Sequence, residues 1–145
     1  MYLTRQSDYT MRLLMHLAVQ PEETATIREI AEHYHISRNH LMKVTNRAVR
    51  AGYVISVRGR GGGLKLAEAP CKIRIGQVLR TTEDWNMVEC FDPASNRCPI
   101  PIACGLRPVL KEALEAYFAV LDRYSLADLV RNRVTLLQLL GLKTA

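Results

Sequence analysis

The sequence predicts a mainly α-helical fold with one small β-hairpin. Three observations point there. Two short capped segments are joined by only three residues, a β-branched run and an alternating Leu-Lys-Leu run flank a glycine-rich turn, and one long stretch repeats apolar residues at steps of three and four. The chain has 145 residues, 48% of them hydrophobic and 23% charged. That is about one domain's worth, able to bury a modest core without disulfide staples.

Each element follows from local pattern. Thr4 or Ser7 can cap a first helix that ends near Gln20-Pro21, with Thr10, Leu14, Leu17 and Ala18 on one stripe. Thr26 and Glu29 form a capping-box pair at the head of "TIREIAEHY". Tyr34-His35-Ile36 is the connector, Ser37 is expected to cap "RNHLMKVTNRAVRA", and Gly52 to end it. Two helices so closely joined are the helix-turn-helix signature, in which the second helix enters the DNA major groove. Val54, Ile55 and Val57 favour a strand, Leu64 and Leu66 alternate in a second, and Arg58-Gly-Arg60-Gly-Gly-Gly63 turns between them. A helix-turn-helix followed by a basic hairpin is a winged helix, whose wing would reach phosphates or the minor groove. The turn does not match the phosphate loop G-x-x-x-x-G-K-[ST], and no helix follows it directly.

A short helix is expected around 75–81, and an irregular loop from 84 to 105. In "LRPVLKEALEAYFAVLDRY", Leu106, Leu110, Ala113, Tyr117, Val120 and Tyr124 recur at steps of 4, 3, 4, 3 and 4, a coiled-coil seam. Leu114, Phe118 and Leu121 widen the apolar face. A single winged-helix domain does not obviously cover so broad a stripe, so the segment reads as a dimerisation helix. Ser125 and Asp128 suggest a cap for "LADLVRN", and "VTLLQLLGL" is too short to assign. The expected organisation is a winged helix-turn-helix DNA-binding domain over 1–83, a loop over 84–105 and a dimerisation helix with a C-terminal segment over 106–145.

Charge supports the same reading. The net charge is +6, yet no Asp or Glu occurs from His33 to Ala67, where Arg38, Lys43, Arg47, Arg50, Arg58, Arg60 and Lys65 lie. The rest of the chain is close to neutral. A concentrated basic block is the footprint of a polyanion, here double-stranded DNA. The candidate contacts are Ser37, Arg38, Asn39, His40, Lys43 and Arg47 on the second helix, and Arg58 and Arg60 on the wing. No run approaches the ~18–20 apolar residues of a membrane span, and "MYLTRQSDYTMRLL" has no secretory pattern. A cytoplasmic protein is expected, with its thiols reduced.

Three of the four cysteines, Cys90, Cys98 and Cys104, fall in "ECFDPASNRCPIPIACGL" among Pro93, Pro99 and Pro101. The C-x7-C-x5-C spacing lacks the close Cys pairs usual in structural zinc sites. His16, His33, His35 and His40 all lie far upstream, so no base stands beside a thiol and an enzyme is not expected. Three thiolates on an irregular loop suit an iron–sulfur cluster. Zinc and plain reduced thiols remain alternatives on spacing alone.

Taken together, "LTRQSDYTMRLLMHLA", "ISRNHLMKV", "AGYVISVRGRGGGLKL", "IRIGQVLRTTED", the cysteine triad and "LADLVRN" resemble the NsrR/IscR/RirA family of iron–sulfur winged-helix transcription regulators over essentially the whole chain. "SDYTMRLL" and "SRNHLMKV" look like its nitric-oxide-sensing subgroup. The resemblance implies a homodimeric repressor with a [4Fe–4S] cluster, or alternatively [2Fe–2S], on Cys90, Cys98 and Cys104. It also implies that Asp8 supplies a fourth ligand from the other subunit, and that nitrosylation or loss of the cluster releases operator DNA. IscR-like members use a histidine three residues past the last cysteine, where this chain has Arg107. RirA-like members share the long first cysteine gap, which makes an iron-responsive repressor the alternative; an electron-transfer or cluster-carrier protein is a third. Cys71 lies outside the triad and is expected to be a non-ligand thiol.

Overall fold

A computed structural model describes residues 2–142. Its elements are α1 (Arg5–Val19), α2 (Ile27–His33), α3 (Arg38–Arg50), β1 (Val54–Val57), β2 (Gly63–Leu66), α4 (Ile75–Thr82), α5 (Leu106–Leu121), α6 (Leu126–Leu129) and α7 (Arg133–Leu139), with single 3₁₀ turns at Pro70–Lys72 and Glu89–Phe91. No helix among the described residues is long and apolar enough to cross a membrane.

Helix α1 is the spine. The Thr4 hydroxyl accepts from the Ser7 N–H and starts it. Leu13, Leu14, Leu17, Ala18 and Val19 are buried, and α1 touches α3, β2, α4, α6 and α7. Its buried hydroxyls are satisfied: Ser7 Oγ donates to Thr82 Oγ1 at 2.7 Å and Thr10 Oγ1 to the Gln6 carbonyl at 2.7 Å. The Thr4 N–H also donates to Glu83 Oε1 at 2.6 Å. The start of α1 is thereby tied to the residues that lead out of α4.

The helix-turn-helix forms as its caps dictate. Thr26 and Glu29 make the full capping box on α2. His35 takes φ +52° in the turn, a left-handed conformation in which histidine is enriched, and the Ile36 N–H returns to the Ala31 carbonyl at 2.9 Å. Ser37 differs from expectation. It holds the boundary position of α3, but its hydroxyl makes no capping bond; α3 starts through the backbone, with the Leu41 N–H on the Ser37 carbonyl at 2.9 Å. Gly52, at φ +81°, ends α3 as its position predicts.

Strands β1 and β2 pair antiparallel, Val54 opposite Leu66 and Val57 opposite Gly63. Ala25 adds an antiparallel bridge to Leu64, exchanging N–H···O bonds of 3.1 and 2.8 Å, and Thr24 Oγ1 donates to the Gly61 carbonyl at 2.8 Å. At the tip, a Cβ on Gly62 would come within 2.4 Å of the Val57 carbonyl oxygen, so this position must be glycine.

The two apolar lines of α5 separate only in part, because Tyr117 of the seam turns inward with the second line. Phe118 is buried and Leu114, Tyr117 and Leu121 are partly buried against the core. Phe118 meets the Trp85 ring edge-on at 4.7 Å, and the Arg80 guanidinium lies over the Phe118 ring, 4.0 Å from its centroid, while clamping Asp122 through two bonds of 2.7 Å. Of the seam, Leu106 and Val120 are exposed, as is Val109 beside them. Tyr124 falls past the helix end, so the helical seam is one member shorter than the spacing predicts. Ser125 and Asp128 form a capping box on α6. The unassigned tail folds as α7, with Leu137 buried.

Candidate functional site

The exposed side of α3 faces away from Leu41, Val44, Thr45 and Ala48, which are buried. Arg38, Asn39 and Lys43 are exposed, and the acid-free first turn leaves their charge uncompensated. His40 is half-buried, its ring edge-on to Tyr9 of α1 at 5.1 Å. It bridges α1 and α3 rather than projecting with the others. Arg47 borders a small cleft with Gln6, Thr10 and Thr81, on the α1 side of the helix. Met42 and Asn46 share the exposed side with Asn39 and Lys43; a search for cations passes over both, because neither carries charge.

Arg58 and Arg60 are exposed at the wing tip, where Gly59 and Gly61 take φ of +99° and +77°. Lys65 differs from its basic neighbours in meeting Glu22 at 3.7 Å. A groove lined by Arg28, Arg38, Ser56, Val57 and Gly63 runs between α2, the start of α3 and the wing.

The thiol loop packs beside α5. Cys90, Cys98 and Cys104 are free and half-buried, and Cys71 is free and exposed. Among the described residues no group of three or more His, Cys, Asp or Glu side chains is gathered to hold a metal ion. The three thiols therefore share a loop without converging. Local turns hold that loop: Asp92 accepts from the Ala94 N–H at 3.0 Å and from Ser95 Oγ at 2.6 Å, and Asn96 Oδ1 accepts from the Cys98 N–H at 3.0 Å. The Ser95 and Ala94 bonds keep the Asp92 carboxyl below the usual carboxylate range. Three free, half-shielded thiols on a segment without a ladder fit the donor chemistry of an iron–sulfur cluster. Asp8 pairs with Arg12 through contacts of 2.8 and 3.0 Å, each side chain about two-fifths exposed. An exposed pair of this kind is worth ~0.2–1 kcal/mol, so Asp8 can change partners at small cost.

A separate buried group lies at the far end of α1. His16 is 3% exposed, stacked on His33 at 5.3 Å, and burial pushes its pKa down to about 4.

The Rrf2 family model, described as an iron-dependent transcriptional regulator, matches residues 3–132. The HTH-type transcriptional regulator NsrR of Bacillus subtilis is 52% identical over 145 residues, 99% of each chain. Its namesake from Bacillus licheniformis is 46% identical over 97% of this chain and 100% of its own. Among solved structures, T. potens IscR superposes with a TM-score of 0.75 at 25% identity, covering 91% of this chain and 88% of that one. CymR, the global cysteine regulator of B. subtilis, superposes with a TM-score of 0.69 at 25% identity, covering 89% and 95%. The relatives are transcriptional regulators rather than enzymes, and the solved structures share the helical fold with its hairpin wing.

Proposed function

The chain belongs to the Rrf2 family of transcriptional regulators, and we propose that it is a cytoplasmic homodimeric repressor whose hold on operator DNA depends on an iron–sulfur cluster and is released by nitric oxide. The observation that carries the DNA half is the acid-free block from His33 to Ala67, displayed on α3 and the wing. Arg38, Asn39 and Lys43 would meet base edges or adjacent phosphates, Ser37 and Arg47 the backbone, and Arg58 and Arg60 phosphates or a narrow minor groove. His40 would act through its contact with α1. The exposed line of Leu106, Val109 and Val120 on α5 supports pairing with a second chain, which would set two reading helices about one DNA turn, ~34 Å, apart.

Cys90, Cys98 and Cys104 would hold a [4Fe–4S] cluster, with Asp8 contributed by the partner subunit. When bound, such a cluster supplies iron that nitric oxide can attack. The chain's own residues offer a contiguous route from loop to DNA. Thr82 and Glu83, at the base of the loop, hydrogen-bond Ser7 and Thr4 of α1, and Tyr9 of α1 touches His40 of α3. The Arg80–Asp122 clamp holds α5 against α4 at the same base. The two states must differ in DNA affinity, since equal affinity would shift nothing.

Anaerobic purification should give a coloured protein containing iron and sulfide, with operator affinity that falls on titration with nitric oxide. Cys98→Ala should be colourless and lose operator-specific binding. A colourless wild-type protein without sulfide, or equal affinity before and after nitric oxide, overturns the reading. The family's description as iron-dependent supports a second reading, an iron-responsive repressor, which a response to iron limitation but not to nitric oxide would establish.

A further inference from the structure

The exposed side of α3 carries two apolar side chains where charge alone would predict none, Met42 in its middle and Val49 near its end. Met42 is 45% exposed although a long unbranched thioether is easily accommodated in a core. On a 3.6-residue helix, positions 39, 42 and 46 fall on one stripe. Asn39 and Asn46, both exposed, therefore bracket Met42 along the helix. The side chains that face the protein, Leu41, Val44, Thr45 and Ala48, occupy the opposite side. The flank nearest α1 is taken by His40 against Tyr9 and by Arg47 beside Gln6 and Thr10. This leaves Asn39, Met42 and Asn46 in the centre of what a groove would meet, with Lys43 and Arg50 beside them.

The chemistry of that stripe is specific. In the major groove a thymine presents a C5-methyl group, and adenine presents N7 and N6–H₂, which an asparagine amide matches with two bonds. Arginine or lysine is the commonest partner of guanine; no arginine stands between positions 39 and 46, and the one lysine there, Lys43, lies beside the stripe rather than on it. Resting on the DNA-binding reading above, we infer that Met42 is a specificity-determining residue: it covers a thymine methyl, flanked by asparagines that read adenines, so the half-site has an A·T run in register with the middle of α3.

The test starts from the anaerobically purified full chain and duplexes selected by it from a randomised pool. Each thymine of the selected half-site is then replaced in turn by deoxyuridine, which removes only the methyl. Burying one methyl corresponds to about three- to fivefold in Kd. One or two positions should show that loss for the unsubstituted chain. Met42→Ala should bind the thymine duplex more weakly by a similar factor and show no further loss with uracil at those positions. Its salt slope and its binding to unrelated duplex should be unchanged, because no cation is removed. Selection of G·C pairs at the centre of the half-site, or a Met42→Ala protein that keeps the wild-type penalty for every uracil, overturns the inference while leaving DNA binding intact. Failure of the unsubstituted chain to retain any duplex at low salt overturns the DNA-binding reading itself.

Discussion

Replacing His16 with phenylalanine should remove a defined part of the acid sensitivity of the fold. His16 is 3% exposed, it stacks on His33 at 5.3 Å and meets Tyr34 edge-on at 5.9 Å, and its Nδ1 has no hydrogen-bond partner. Burial, reinforced by His33 and opposed by Glu29, lowers its pKa from 6.5 to about 4. An unfolded chain thus takes up this proton near pH 6.5, whereas the folded chain resists until about 4. The sign follows: the group contributes stability above pH 6.5, and that stability is lost as pH falls from 6.5 towards 4. The slope is about 1.4 kcal/mol per pH unit, and the full difference is about 3 kcal/mol. Urea unfolding followed by circular dichroism at pH 7.5, 6.5, 5.5 and 4.5 measures it. The stability of His16→Phe minus that of wild type should grow by about 2–3 kcal/mol between the extremes. Two profiles that stay parallel would refute the assignment of a buried neutral imidazole.

Further expectations concern the wing, α5 and its exposed line. Arg60→Ala should weaken binding to all duplexes and lower the salt slope by about one; an unchanged slope removes the wing from the footprint. Phe118→Ala should cost about 3–5 kcal/mol in urea unfolding and shift the fluorescence of Trp85, whose ring it meets at 4.7 Å; a loss under 1 kcal/mol would show that α5 is not anchored there. Val120→Glu, at a 45% exposed position, should leave the unfolding midpoint almost unchanged but yield monomers by sedimentation, and a persistent dimer would exclude this face as the contact.

Elements specified by neighbouring residues were legible in the sequence. The Thr26–Glu29 and Ser125–Asp128 boxes need only residues three apart, and the Gly52 terminus needs only one positive φ. Features set by packing were not. The spacing of α5 shows two apolar lines but not which one turns inward; Trp85 and Arg80, far off in sequence, decide that for Phe118. The tail became α7 because Leu137 finds burial, which no local pattern announces. Ser37 has the right identity for a cap and makes no capping bond. His40 was legible as a polar residue at the head of α3, but not as one whose ring meets Tyr9 of α1. The triad was visible as composition; among the described residues the loop does not gather its thiols into one group, because the turns made by Asp92 and Asn96 are local and fix no distance between the cysteines.

The bridge from Ala25 to Leu64, with the Thr24 hydroxyl on the Gly61 carbonyl, braces the hairpin against the stem that leads into α2. The tip is consequently delivered at a fixed inclination before any encounter. Docking then has to immobilise the guanidinium arms alone, not the ribbon that carries them, which lowers the entropic toll of association. Thr24→Val would remove the hydroxyl strut to Gly61 alone, leaving the arginines and the Ala25–Leu64 backbone pairing in place.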